Sequence, residues 1–185
     1  MILSNSKLEA LQDHLMLFFT GISRMASEVA KTKIDNLKKR TVEIRRMTEM
    51  VDEAITILDH SNRSVLEFGR LLDEAWMHKR KLSSSVSSPV IDSFYETAKK
   101  AGAIGGKLLG AGGGGFLLLF VEPERQAKVR ASLANLIHVP FHFETSGSQI
   151  VLYQPNGLGG KWPMTSVPRV SETLSQKRQR VSGLT

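Results

Sequence analysis

An α+β fold, with about four helices covering one face of an antiparallel sheet, is the architecture this sequence predicts. Three observations point there. Two short apolar runs, His14 to Phe19 and Phe116 to Val121, have strand length and are too short for buried helices. Between them, from Ile34 onward, apolar residues recur in steps of three and four, the spacing of one helix face. A dense glycine segment before Phe116 then reads as strand, turn, strand.

Each element follows from its residues. The first run ends at Thr20-Gly21 and reads as a buried strand. The helical stripe is Ile34, Leu37, Thr41, Ile44, Met47, Val51, Ala54 and Leu58, with Lys38, Lys39, Arg45, Arg46 and Glu53 on the opposite face. Asp59-His60-Ser61-Asn62 breaks the pattern and offers capping side chains. A second helix is expected over 63–81, with Val65, Phe68, Leu72, Ala75 and Trp76 inward. A serine-rich loop, Ser83 to Ser88, leads into Pro89, and Ser88-Pro89 is a strong helix start. That third helix carries Ile91, Phe94, Tyr95 and Ala98 and should end at Gly102. Pro123 and Glu124 open a fourth helix reaching about Leu136. Val139 to Phe143 alternates in polarity and contains Pro140, as an edge strand does, and Gln149 to Gln154 reads as the last strand after a turn at Ser146-Gly147. No internal repeat is evident.

Composition bounds the function classes. The 185 residues suit one domain, read here as 1–154, with 155–185 expected to be a disordered basic tail. With no cysteine there is no disulfide framework and no thiolate metal site, which fits a cytoplasmic protein. The start, Met1-Ile2-Leu3-Ser4, is not a signal peptide, and the apolar run from Phe116 to Val121 is far below the about 20 residues of a membrane span. Of the net charge of +7, most lies in the tail, where Lys161, Arg169, Lys177, Arg178 and Arg180 face one acid, Glu172. The body is only mildly basic, which argues against a nucleic-acid partner. The five histidines, at 14, 60, 78, 138 and 142, show no metal-ligand clustering, and no nucleophile and base stand at a catalytic spacing.

Eight of the 15 glycines lie between Gly102 and Gly115. Glycine is expensive to order, so such a run needs a cause. Either the backbone takes positive φ at several positions, or it comes close to a ligand or another segment. Successive amides in such a turn form an anion-binding nest, although a plain hairpin turn has the same composition. No Gly-Lys-Ser/Thr follows, so this is not a Walker A loop. A strand follows where the dinucleotide fingerprint needs a helix.

The segment Gly102 to Phe116, with its core Lys107-Leu108-Leu109-Gly110-Ala111-Gly112-Gly113-Gly114-Gly115, resembles the C-terminal glycine motif of the GHMP kinases, the superfamily of galactokinase, homoserine kinase, mevalonate kinase and phosphomevalonate kinase. Leu17 to Arg24 and Ala75 to Ser83 are similar to sugar kinases of the D-glycero-D-manno-heptose 7-phosphate type, and the resemblance covers roughly residues 5–154. It implies a ferredoxin-like C-terminal domain and an ATP- and magnesium-dependent transfer of phosphate to a sugar phosphate in the complete enzyme. Gly110, Ala111, Gly112, Gly113, Gly114 and Gly115 would line the phosphate side of the cleft, with Lys107 as counter-ion or as a solvent-facing strand residue.

The resemblance also marks acceptor-side candidates. Thr20 and Arg24 flank the turn at Gly21; they suit hydroxyl or phosphate groups, or equally a helix N-cap and a surface arginine. Trp76 and Lys79 share a helix face and, with Ser83, offer a stacking surface and a cation to the sugar phosphate; the alternative is a half-buried tryptophan and a snorkelling lysine. The family's nucleotide loop, Pro-x-x-x-Gly-Leu-Gly-Ser-Ser, has no counterpart, and Gly157-Leu158-Gly159-Gly160-Lys161 lacks the serines. The resemblance thus implies a chain that needs an N-terminal kinase half for chemistry, or that self-associates through the face left open. A non-catalytic domain binding a phosphate ligand or a partner is the alternative.

Overall fold

In a computed structural model of the chain, residues 3–23 and 39–144 are described, with single positions at 34, 36, 147, 148 and 150. The architecture is that of the unit running to Phe143. Its elements are α1 (Asn5–Asp13), β1 (Leu15–Phe19), α2 (Thr41–Asp59), α3 (Val65–Lys81), α4 (Pro89–Ala101), β2 (Gly105–Leu108), β3 (Phe116–Phe120), α5 (Pro123–Ser132) and β4 (Ile137–His138).

The strands form one antiparallel sheet in the order β2-β3-β1-β4. β1 and β2, with three helices between them among the described residues, flank β3, which is the split β-α-β of a ferredoxin-like sheet. In β1, Met16 and Phe18 are buried, as the strand period of two requires. They meet Leu117, Leu119, Ile91, Tyr95 and Trp76 in the main core.

The helix punctuation is local chemistry. At α4, the Ser88 hydroxyl accepts from the Ile91 amide, Pro89 opens the first turn, and Gly102 closes the helix at φ +119°. The Gly102 amide donates to Ala98 and Lys99 carbonyls, each at 3.1 Å, leaving few carbonyls unpaired at that end. At α3, Ser64 and Glu67 form a reciprocal capping box. α1 was not foreseen in the sequence; Ser4 caps it by accepting from the Lys7 amide.

α3 lies tight on the sheet because two glycines, Gly69 and Gly105, admit their neighbours where a side chain would stand. A β-carbon at Gly105 would stand 2.1 Å from the Gly69 carbonyl oxygen, and one at Gly69 would stand 2.5 Å from the Phe120 ring. A second, smaller core of Met50, Ile57 and Leu71, with Ala54, Phe68 and Ala75 against it, joins α2 to α3.

Several expectations change. The inward row of α2 is Met50–Ala54–Ile57, while Val51, expected inside, is 56% exposed. Arg46 and Glu53, expected on the face opposite the apolar stripe, are paired with each other, and Arg46 also reaches Glu74 of α3 at 2.8 Å. The edge strand is β4, not 139–143: the Val139 amide still donates to the Leu17 carbonyl at 2.8 Å, but Pro140 has no N–H to continue the ladder. α5 stops at Ser132, short of Leu136. Arg24, most of the strand expected at 149–154, and the tail at 155–185 lie outside the described residues.

α4 and α3 are clamped by one polar cluster. The Tyr95 hydroxyl donates to Asp73 Oδ1, and Lys99 Nζ donates to Asp73 Oδ2 at 2.9 Å and to the Ile104 carbonyl at 2.6 Å. Burial first, and the Asp73 carboxylate second, hold the Tyr95 phenol well above the ordinary tyrosine range. The folded chain therefore keeps a proton that the unfolded chain releases near pH 10, at its ordinary value of 10.0. Stability from this group is complete below about pH 10 and falls as pH rises further, because the unfolded state then binds fewer protons. Denaturation midpoints at about pH 8.5 and about pH 10.5 should show this decline in the wild type and a smaller one in Tyr95→Phe. Equal slopes in the two proteins would assign alkaline loss to other groups.

Candidate functional site

The glycine segment leaves β2 at Leu108 and enters β3 at Phe116. Gly110, Gly112, Gly113 and Gly115 have φ of +70°, +112°, +78° and +97°, the left-handed region that side chains avoid. Close approach adds to this at two positions. A β-carbon on Gly112 would stand 2.7 Å from the Val86 carbonyl oxygen, and one on Gly114 would stand 2.4 Å from that of Ile22. The approach is to the chain's own backbone. At Gly110 and Gly115 the same position is open space.

Three elements hold the loop. From the serine-rich loop, the Val86 carbonyl accepts from the Gly113 amide at 2.9 Å. From the turn after β1, the Ile22 carbonyl accepts from the Gly115 amide at 2.8 Å, while the Thr20 amide and hydroxyl both donate to the Gly115 carbonyl, at 2.9 and 2.8 Å. From α3, the Lys79 ammonium donates to the carbonyls of Leu108 at 3.0 Å and Gly110 at 2.8 Å. The result is an open hollow of about 340 Å³ beside the loop, lined by Gly110, Ala111, Gly112, Gly114 and Gly115 together with Phe19, Ile22, Ser23, Leu109 and Phe116. Its wall is largely hydrocarbon, with the Phe19 and Phe116 rings 5.2 Å apart.

Most of the residues singled out in the sequence meet here. Thr20 is buried under the loop, with its hydroxyl also accepting from the Ile22 amide at 3.3 Å, and Gly21 is exposed at φ +70°. Ser83 is buried, its hydroxyl oxygen bonded to the Ser85 amide at 3.2 Å and to the Ser85 hydroxyl at 2.8 Å; this turn positions Val86. Lys107 is half-buried on β2, opposite Leu118. Trp76 is a correction: it is fully buried in the main core beside Tyr95, so it presents no stacking face to a ligand. Its indole N–H has no hydrogen-bond partner among the described residues.

Sequence reasoning missed the part played by Val86 and Ile22. Both act through main-chain carbonyls, which leave no mark on residue type. Among the described residues, no three histidine, aspartate or glutamate side chains gather as a metal-binding set.

Residues 54–138 match the family model described as GHMP kinases C terminal. Over 127 residues the chain is 31% identical to L-fucokinase/L-fucose-1-P guanylyltransferase of Bacteroides fragilis, covering 67% of this chain and 13% of that protein. It is 32% identical over 124 residues to D-glycero-alpha-D-manno-heptose 7-phosphate kinase of Campylobacter jejuni, covering 65% of this chain and 35% of that one. The mevalonate kinase structure from Methanococcus jannaschii shares the fold, with a TM-score of 0.59 at 21% identity over 75% of this chain and 42% of its own. The chain thus spans 13% and 35% of the length of these two curated relatives.

Proposed function

The chain belongs to the GHMP kinases through their C-terminal domain, and on that premise we propose that it forms the acceptor-side wall of an ATP-dependent sugar kinase cleft. In this reading the γ-phosphate passes to a hydroxyl of a heptose-phosphate-like sugar, and an N-terminal kinase half brings the nucleotide. The observation that carries it is the glycine loop, fixed from three sides by Val86, Ile22 with Thr20, and Lys79, and fronting an open hollow.

Phosphoryl transfer is chiefly positioning and charge neutralisation, so a rigid backbone wall is a useful contribution. ATP supplies the phosphoryl group when bound, and the backbone of residues 110–115, left-handed at Gly110, Gly112, Gly113 and Gly115, fits a place beside its phosphates, since the hollow leaves room there. The Gly113 and Gly115 amides already donate within the chain, so they hold the loop's shape. Magnesium finds no ligand set among the described residues and is assigned to the N-terminal half. The acceptor contact proposed for this chain is the turn Thr20-Gly21 with Arg24; buried Ser83 supports the cleft through the turn that positions Val86, and Lys107 is proposed as a counter-ion on the phosphate side. No helix among the described residues is long and apolar enough to cross a membrane, which accords with a cytoplasmic enzyme.

Isothermal titration of the chain tests this, with heptose 7-phosphate, L-fucose and ATP-magnesium as separate titrants. Binding of the sugar phosphate, and its phosphorylation once an N-terminal kinase half is added, is the expected result. Binding of L-fucose alone would move the substrate assignment to unphosphorylated sugars. Phosphate-ligand binding without turnover in the reconstituted pair would make the domain a non-catalytic binding module.

A further inference from the structure

Among the described acceptor-side candidates, Lys79 carries a charged group that ends inside the protein. Its side chain is nearly buried at 9% exposure, and it rises from the last turn of α3, where the helix dipole favours a cation. The ammonium donates to the Leu108 carbonyl at 3.0 Å and to the Gly110 carbonyl at 2.8 Å. Leu108 is the last residue of β2, and Gly110 is the first left-handed residue of the loop. The two carbonyls thus lie on either side of the point where the chain turns out of the sheet. Trp76, one turn earlier on α3, has its ring centroid 6.0 Å from the ammonium and supports it from below.

We propose that Lys79 is a positioning residue of the phosphotransfer cleft: it fixes the exit angle of the glycine loop by bridging the Leu108 and Gly110 carbonyls, and it does not serve as a cation offered to the sugar phosphate. This rests on the kinase reading only for the loop's purpose; the bridge itself stands on geometry. Val86 and Ile22 hold the second half of the loop through Gly113 and Gly115, whereas the first half is held by Lys79 together with the Leu109 amide, which donates to the Phe116 carbonyl at 2.8 Å. An ammonium suits the task because its donors rotate freely and reach two carbonyls two residues apart. Without it, two carbonyls near the core lose their donor, and the open space beside Gly110 leaves the loop room to shift.

The test is amide hydrogen exchange on the full chain, comparing wild type with Lys79→Met and Lys79→Gln. Exchange at residues 109–115 should rise at least about tenfold in Lys79→Met and less in Lys79→Gln, which keeps one donor group, while peptides from β1 and α4 stay within about twofold. Unchanged loop exchange, or an equal rise across the whole chain, would overturn the proposal. A parallel titration with heptose 7-phosphate separates the two roles. If Lys79 instead binds substrate, affinity falls at least about tenfold in both variants while loop exchange stays at the wild-type rate. If the wild type itself does not bind the sugar phosphate, the substrate reading fails and the exchange result still decides what Lys79 does. Should Lys79→Met not fold, Lys79→Gln carries the same comparison.

Discussion

Replacing Trp76 by alanine should lower the stability of the domain by about 3–5 kcal/mol, the range for truncating a large buried aromatic. The side chain is fully buried where α3, α4 and the sheet meet, against Tyr95, Ile91 and Leu108. The cavity opens under Lys79, so the glycine loop should loosen with it. Because the indole N–H has no hydrogen-bond partner among the described residues, the loss reports packing, and Trp76→Phe should cost markedly less. Chemical denaturation with tryptophan-independent detection, such as far-ultraviolet circular dichroism, measures both. A Trp76→Ala protein of wild-type stability that had lost sugar-phosphate binding would return Trp76 to the ligand surface and contradict the burial.

Replacing Gly112 by alanine should combine two penalties. At φ +112° an L-residue carries left-handed strain of about 1–2 kcal/mol. Its β-carbon would also stand 2.7 Å from the Val86 carbonyl oxygen and 2.8 Å from the Val86 α-carbon, backbone atoms that cannot swing aside. Overpacking of that kind adds about 1–3 kcal/mol. The sum, about 2–5 kcal/mol, is relieved only if the loop moves away from the serine-rich loop. For a reconstituted kinase, a displacement near 1 Å should cut turnover by roughly a hundredfold. Gly110→Ala is the control: φ is +70° but the space is open, so only the strain remains. Equal stability of the two variants would show that the contact with Val86 gives way freely.

The parts of the fold that were legible are those written in local chemistry. Ser88-Pro89 and Gly102 mark α4 because a cap hydroxyl, a fixed proline φ and a left-handed glycine are needed at those positions. β1 and β3 were legible as short apolar runs. The phase of α2 was not, because Met47, Val51 and Leu58 make as good a stripe as Met50 and Ile57. Only the partner helix, with Phe68 and Leu71, selects between them. α1 is polar and short, and its sole local signal was Ser4. At the site, the need for glycine was legible, but the approach to Val86 and Ile22 was not, since main-chain carbonyls are common to all residues. Trp76 and Lys79 were rightly placed on one helix face; which way that face points depends on Gly69 and Gly105 letting α3 settle on the sheet.

The sheet order has a kinetic consequence. Leu15 of the inner strand β1 pairs with Phe120, 105 positions later, and among the described residues the one strand between them in the chain is β2, which pairs with β3. The long-range contacts that close the core must therefore await nearly all of the unit, which slows folding relative to a domain built on local contacts. During synthesis at about 5–20 residues per second, Met16 and Phe18 remain without their strand partners for roughly 5–20 s. Over that interval the nascent chain offers an apolar strand to chaperones or to its neighbours on the same messenger.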